Sequence, residues 1–169
     1  TGRIRIVSDP PVKWKSSPRV DGLVKELAEM VRGTQRKALL ISPYFVPGDE
    51  GVSLLASLVR ERGAHVGVVT NSLAANDVVA VHGGYANYRK ALLETGVKLY
   101  EMRPWPAQGD ASLFGSSGAS LHTKALVVDD RYGFIGSFNI DPRSVVLNTE
   151  MGVLFDDPPL AAALRAEYL

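Results

Sequence analysis

Cysteine is absent from all 169 residues. That removes disulfide bonds, thiolate metal ligands and a cysteine nucleophile together, and it leaves the redox compartment open. Charge of one sign is scarce as well: 19 Lys and Arg stand against 18 Asp and Glu, for a formal net charge of +1. A groove that tracks a nucleic-acid backbone concentrates Lys and Arg, so nucleic acid is not an expected partner, although a local basic patch stays compatible with this balance. No apolar run approaches the ~20 residues of a membrane-spanning helix. The opening stretch, TGRIRIVSDPP, lacks the apolar segment of a signal peptide. It starts on strand-like residues without an initiator Met, so the chain is expected to be a soluble fragment whose missing targeting segments say nothing about the parent. Histidine is limited to His65, His82 and His122, spaced without a carboxylate pattern that would hold a metal. No metal and no cofactor are expected.

What is present is the balance of a globular chain. Hydrophobic residues make up 46% and charged residues 22%, and the length suits one domain with a real core rather than two. RIRIVS, residues 3–8, alternates at period two. Leu23, Leu27, Met30 and Val31 then share a helical face, with Asp21 or Ser17 as cap and Gly33 as stop. KALLISPYFV reads as a buried strand halted at Pro47-Gly48, and residues 49–62 as a helix ended by Gly63. AHVGVVTNS is another strand, 84–95 a helix through Tyr85, Tyr88, Leu92 and Leu93, and GVKLYEM a strand. This alternation predicts an α/β fold: a mixed, largely parallel β-sheet flanked by helices on both faces. Residues 103–120, rich in Pro, Gly and Ser, break the rhythm as a long loop. Antiparallel strands over 123–129 and 132–137, a strand in NTEMGVLF and a last helix capped by Asp157 follow.

The chemistry gathers where the loop ends. His122 and Lys124 are two apart and face one side of their strand, whereas Asp129 has the opposite parity and is not expected to meet the same reacting atom. Ser137 and Asn139 share a face at the next strand end, and Glu150 opens the strand after that. Such a set suits a phosphodiester. Imidazole attacks phosphorus or passes a proton near neutrality. A carboxylate on its other nitrogen fixes the tautomer. Lysine and the Asn amide bind non-bridging oxygens without a metal. Asp129 and Asp130 ahead of Arg131 also fit turn chemistry, which ranks above catalysis for that pair. The HxK pair alone is commonly structural; the full string, with six residue types at set spacing, is not a chance product.

That string, HTKALVVDDRYGFIGSFN, resembles the phospholipase D superfamily signature HxK(x)4D(x)6G[GST]xN at every position. With DPRSVVLNTEMG, SPYFVP and residues 70–101, the chain is similar to the C-terminal half of bacterial cardiolipin synthases and related phosphatidyltransferases. The resemblance implies that His122 is the nucleophile forming a phosphohistidine, or the acid/base partner of one. It implies that Lys124 and Asn139 bind phosphate, that Ser137 supports the site, and that Glu150 orients His122. Asp129 belongs to the motif and enters the candidate catalytic set with His122, Lys124 and Glu150, though with a structural task. The family's site joins two such motifs, and this chain has one. Residues 1–169 are therefore expected to form a single lobe, the second half of a two-lobe enzyme, inactive as a monomer. The implied substrates are a phospholipid donor and an alcohol or glycerophospholipid acceptor, and the implied setting is the cytoplasmic side of a bacterial membrane, touched peripherally. Two alternatives stay open: a phosphodiesterase or nuclease completed by a homodimer mate, and a non-catalytic lobe. Tyr44, Phe45, Asn71 and Ser72 at strand ends, His82 at the substrate mouth and Trp105 against lipid chains are further candidates, each balanced by a packing or capping role; His65 is expected as a partly buried strand start.

Overall fold

Strand β1 (Arg3–Ser8) opens a computed structural model that describes residues 2–11, 22–75, 79–103 and 120–168. After it come α1 (Leu23–Arg32), β2 (Lys37–Ile41), α2 (Gly48–Arg62), β3 (His65–Asn71), a 3-10 turn (Leu73–Ala75), α3 (Val79–Glu94) and β4 (Lys98–Met102). The chain continues through β5 (Lys124–Val128), β6 (Tyr132–Gly136), α4 (Pro142–Val146), β7 (Met151–Asp156) and α5 (Pro158–Ala166). One sheet holds all seven strands in the order β1-β7-β6-β5-β2-β3-β4.

The expected mixed α/β sheet is there, but its parallel part is the smaller. Only β2–β3 and β3–β4 pair in parallel, across the crossover helices α2 and α3; the four other pairings are antiparallel. Five strands still point one way, because β5 and β7 alone run against the rest. A three-residue turn, 129–131, between β5 and β6 enforces reversal, whereas parallel neighbours need a long crossover.

Alternation along the strands divides the core into two layers. Val7, Ala38, Leu40, Val66, Val68, Leu126, Phe134 and Leu154 face α1, α2 and α3, which supply Leu23, Leu27, Val31, Leu55, Leu58, Tyr85 and Leu92. On the other face Leu39, Ile41, Val69, Ala125, Val127 and Phe155 meet Ala161 and Leu164 of α5. Helices therefore lie on both faces, as periodicity predicts.

Helix ends follow sequence in part. Gly63 takes the left-handed conformation at the end of α2, and Asp157 accepts a hydrogen bond from Leu160 N–H at 2.9 Å with prolines in the first turn of α5. The caps expected of Ser17 and Asp21 lie outside the described residues. A different group serves α1: the carboxylate of Asp9 accepts from Leu23 N–H at 3.1 Å. Gly22 permits that approach, because its φ is 101° and a Cβ there would sit 2.9 Å from Asp9 Oδ1. KALLISPYFV yields only the five residues of β2 as strand. Pro43 has no N–H to extend the ladder, and the Ser42 hydroxyl donates to Tyr44 O instead, at 2.7 Å.

Candidate active site

Strand direction brings one set of ends together. The carboxyl ends of β2, β3, β4 and β6 and the amino ends of β5 and β7 share a single edge of the sheet. His122, Lys124, Ser137, Asn139 and Glu150 all stand at or just beyond that edge. The motif is a hairpin written as spacing. The four residues after Lys124 are the interior of β5, Asp129 begins the turn, and six residues return along β6 to Gly136, which pairs with Lys124.

Each side chain is held from below. Asn71, buried at the end of β3, donates from its amide to Leu121 O at 3.1 Å and accepts from Leu121 N–H at 2.9 Å, fixing the residue before His122. Tyr168, beyond α5, donates its hydroxyl to Thr123 Oγ1 at 2.6 Å, between His122 and Lys124. His122 is exposed, and Lys124 Nζ donates to the His122 carbonyl at 2.7 Å. The ammonium thus lies beside the imidazole's own backbone, as parity requires.

Across the hairpin, Ser137 Oγ donates to Glu150 Oε2 and accepts from Met151 N–H at 3.1 Å. Asn148 donates to Glu150 Oε1 at 3.2 Å. Among the described residues the Glu150 carboxylate therefore meets Ser137 and Asn148 rather than the His122 ring, so direct orientation of His122 by Glu150 is not the contact seen. Asn139 is half-buried, its backbone N–H donates to Ser144 Oγ at 3.3 Å, and its side-chain oxygen is buried without a hydrogen-bond partner among the described residues. The segment Ser42–Phe45 closes the floor. Ser42 Oγ accepts from Ile140 N–H at 3.0 Å, and Ile140 O accepts from Val46 N–H at 2.7 Å.

Gly136 is required by packing. A Cβ on it would stand 2.4 Å from Met151 O and 2.5 Å from Phe134 Cζ. Its cross-strand partner Gly152 meets the same ring at 2.4 Å. Phe134 is fully buried under both, so β6 and β7 approach at the site only because neither residue has a side chain.

Asp129 is a correction to the candidate catalytic set. It lies at the opposite edge, where its carboxylate accepts from the N–H groups of Gln35, Arg36 and Lys37 at 2.9, 2.7 and 2.9 Å. Burial pushes this carboxyl up, but the bonds from Lys37, Gln35 and Arg36 and the Arg36 charge outweigh it and hold it below the ordinary carboxylate range. Asp129 and Asp130 both have positive φ, 52° and 57°, and Arg131 N–H donates to Val128 O at 3.1 Å, which forms the turn that the pair was expected to make.

The other candidates separate. Phe45 is core, edge-on to Tyr85 at 6.2 Å. His65 does start β3, but it is exposed rather than partly buried, because the strand begins at the rim of the far edge. His82 is inside α3, which starts at Val79, five residues before the expected start. Gly84 suits a helix here because α3 closes on Val46, whose Cγ2 would lie 3.1 Å from a Cβ. Trp105 and the loop 104–119 lie outside the described residues.

Two contributors have no motif. Asp9 reaches Glu150 from 141 residues away: Asp9 Oδ2 accepts from Glu150 N–H at 3.1 Å, and Asp9 N–H donates to Glu150 O at 2.8 Å. Helix α4 sets Ser144 under Asn139, with Asp141 as cap accepting from Ser144 N–H at 2.8 Å. Its signal was the Asp-Pro pair at 141–142, the same pair that marks α5.

Comparison with known proteins follows this geometry. Residues 27–169 match the family described as "Cardiolipin synthase, PLD-like domain". The chain is 42% identical to cardiolipin synthase C of Escherichia coli (strain K12) over 99% of its own length, and it spans 36% of the length of that relative. Its fold is similar to that of Nuc from Salmonella typhimurium, a phospholipase D family member, with a TM-score of 0.69 and 15% identity over 99% of this chain and 91% of the other. It is equally similar to the phosphatidylserine synthase of Haemophilus influenzae Rd KW20, with a TM-score of 0.69 and 21% identity over 98% of this chain and 37% of the other.

Proposed function

Because the chain belongs to the family of PLD-like cardiolipin synthase domains, we propose that it is one lobe of a phosphatidyltransferase that works through a phosphohistidine in phospholipid synthesis. The observation that carries this reading is the convergence of His122, Lys124, Ser137, Asn139 and Glu150 at one edge of the sheet. His122 attacks the phosphorus of a phospholipid donor, a nitrogen–phosphorus bond forms, and the bond to the departing headgroup oxygen breaks. Lys124 and Asn139 hold the non-bridging oxygens, where negative charge concentrates. The Glu150 carboxylate, held by Ser137 and Asn148, supplies a fixed negative charge at the same edge, where positive charge develops on the His122 ring as its nitrogen bonds phosphorus. The departing oxygen takes a proton from the histidine of a second HxK(x)4D lobe. An acceptor alcohol then attacks phosphorus, gives its proton back to that second histidine and frees His122.

The second lobe comes from the same parent chain or from a homodimer mate. The donor is a bilayer lipid, so the parent works at the cytoplasmic face of a bacterial membrane. Among the described residues no helix is long and apolar enough to cross a membrane.

The test compares the full-length parent with this chain alone on phosphatidylglycerol vesicles. Transfer by the parent and little or no turnover by the monomeric lobe is the expected result. Robust turnover by the monomer contradicts the two-lobe site. Turnover that climbs with chain concentration and disappears in His122→Ala makes a homodimer mate the second lobe.

A further inference from the structure

α5 covers only half of the sheet face on which it packs. By register, Ile4 and Ile6 of β1, Met151, Val153 and Phe155 of β7 and Ile135 of β6 all project to that face. Phe155 lies in the cluster under α5, but Ile4, Ile6, Met151 and Ile135 are 68%, 73%, 57% and 38% exposed. β1 turns its charges the other way, where the Arg5 guanidinium pairs with Glu26 of α1. An edge strand that ends in water does the reverse, with apolar residues inward and charges outward. The open half, β1-β7-β6, is therefore a flat apolar surface. It reaches the phosphate-handling edge, where Met151 N–H donates to Ser137 Oγ.

The covered half carries a second apolar surface. α5 buries Ala161 and Leu164 against the sheet. Its outward stripe is Pro159, Ala162, Ala163 and Ala166, all exposed, at the i, i+3, i+4, i+7 spacing of another helical face. A helix that faces water keeps polar residues on this side, and α5 has none there. Its one charged residue, Arg165, pairs instead with Asp130 at 3.2 Å.

Each half supplies what the other lacks. Small residues on the helix receive large ones on the sheet, and neither strip carries a charge that contact would strand. We propose that a second copy of this chain occupies the face, each copy laying the outward stripe of its α5 across the open β1-β7-β6 half of its mate. Such a contact is isologous and closes after two copies. The stripe, Leu160 and the exposed sheet side chains together present roughly 800 Å² per copy, the share that a standard stable interface takes from each partner. An anionic bilayer fits less well, because surfaces that dock there add Lys or Arg to their apolar residues, and none stands on either strip. A two-fold axis along the strands keeps both phosphate-handling edges at the same end. β5, which follows His122, borders the line between the covered and open halves, so both imidazoles fall beside the axis. The proposal rests on the reading that the site needs a second lobe, and it adds which faces meet and that a copy of this chain supplies them.

The test measures the mass of the chain by sedimentation across the micromolar range. A reversible dimer is expected, with a dissociation constant that rises about tenfold or more in Ile6→Glu and in Ala163→Lys. Both positions are exposed in the single copy, so unchanged thermal melting of each variant checks that the fold is kept. Mixed in equal amounts, the two variants should dimerise more tightly than either alone. One helix–sheet contact is then intact, and the introduced charges, opposite in sign, share the other. A chain that stays monomeric overturns the proposal. So does a dimer loosened by Ile6→Glu alone, which would mean sheet packed on sheet, or a mixture no tighter than its parts. Phosphatidylglycerol vesicles that bind the monomer and lose it in Ile6→Glu would give the face to a bilayer instead. A dimer without transfer would count against the transferase reading and leave the interface standing; a monomeric chain beside an active full-length parent would do the opposite.

Discussion

At its turn, the β5–β6 hairpin gives Asp129 to three successive backbone N–H groups at the start of β2; at its open end, roughly 17 Å away along five residues of strand, it leaves His122 exposed, with Lys124 Nζ donating to the His122 carbonyl. Both ends belong to one sequence motif. The turn end binds the hairpin to a neighbouring strand and leaves the carboxylate nothing else to do. The open end gathers an imidazole, an ammonium, an amide and a carboxylate from three strand ends, with the Asn139 oxygen still unpaired among the described residues. Spacing in such a motif therefore measures a strand as much as it names a site, and its aspartate marks where the strand turns.

Substitutions should pull the two ends apart. His122→Ala should lower transfer by the full-length protein at least about 10³-fold, while the unfolding free energy of this lobe changes by no more than about 0.5 kcal/mol. Asp129→Ala should do the reverse. Losing the charged acceptor of three N–H groups should cost about 2–3 kcal/mol in chemical denaturation, with activity per folded molecule within a few-fold of the parent. Gly136→Ala mixes the two: the new methyl group meets Met151 O and the Phe134 ring, for about 1–3 kcal/mol of overpacking and a displaced Ser137.

Acid gives a smaller and graded version of the Asp129 effect. Its folded carboxyl titrates below the ordinary range, so the folded state binds fewer protons than the unfolded chain at that group. The stability that Asp129 contributes is complete above its unfolded value, near pH ~4, and drains away as pH falls through the lower folded value. Denaturation midpoints measured from pH 6 downward should decline less steeply in Asp129→Ala than in the parent. Equal slopes would mean that the three N–H bonds carry no weight.

Much of this was legible before any coordinates. Strand parity placed His122 and Lys124 together and set Asp129 apart, and the two positive φ values at Asp129 and Asp130 agree with the turn that Asp-Asp-Arg implied. Periodicity gave the helices because α1, α2 and α3 each bury one face. The rest was not local. Asp9 acts on Leu23 and Glu150 across 14 and 141 residues, and no window of sequence contains that relation. Asn71 resembled a strand end, and only the fold shows that its amide holds Leu121. Gly136 stood in the motif as a letter; the reason for it is the Phe134 ring pressed between two strands. Sheet pairing was overread as parallel because alternating elements reveal crossovers, not which strands later insert between the first ones.

Covalent trapping measures the difference between the hairpin's ends most directly. The full-length protein is incubated with a phospholipid donor, quenched in base, where a nitrogen–phosphorus bond survives, and mapped by peptide mass spectrometry. An acid-labile phosphatidyl adduct on the peptide bearing His122, absent in His122→Ala and retained in Asp129→Ala, is the predicted result. Transfer that proceeds with the adduct on another residue of this lobe, or that persists in His122→Ala, would contradict the assignment of His122 as the nucleophile.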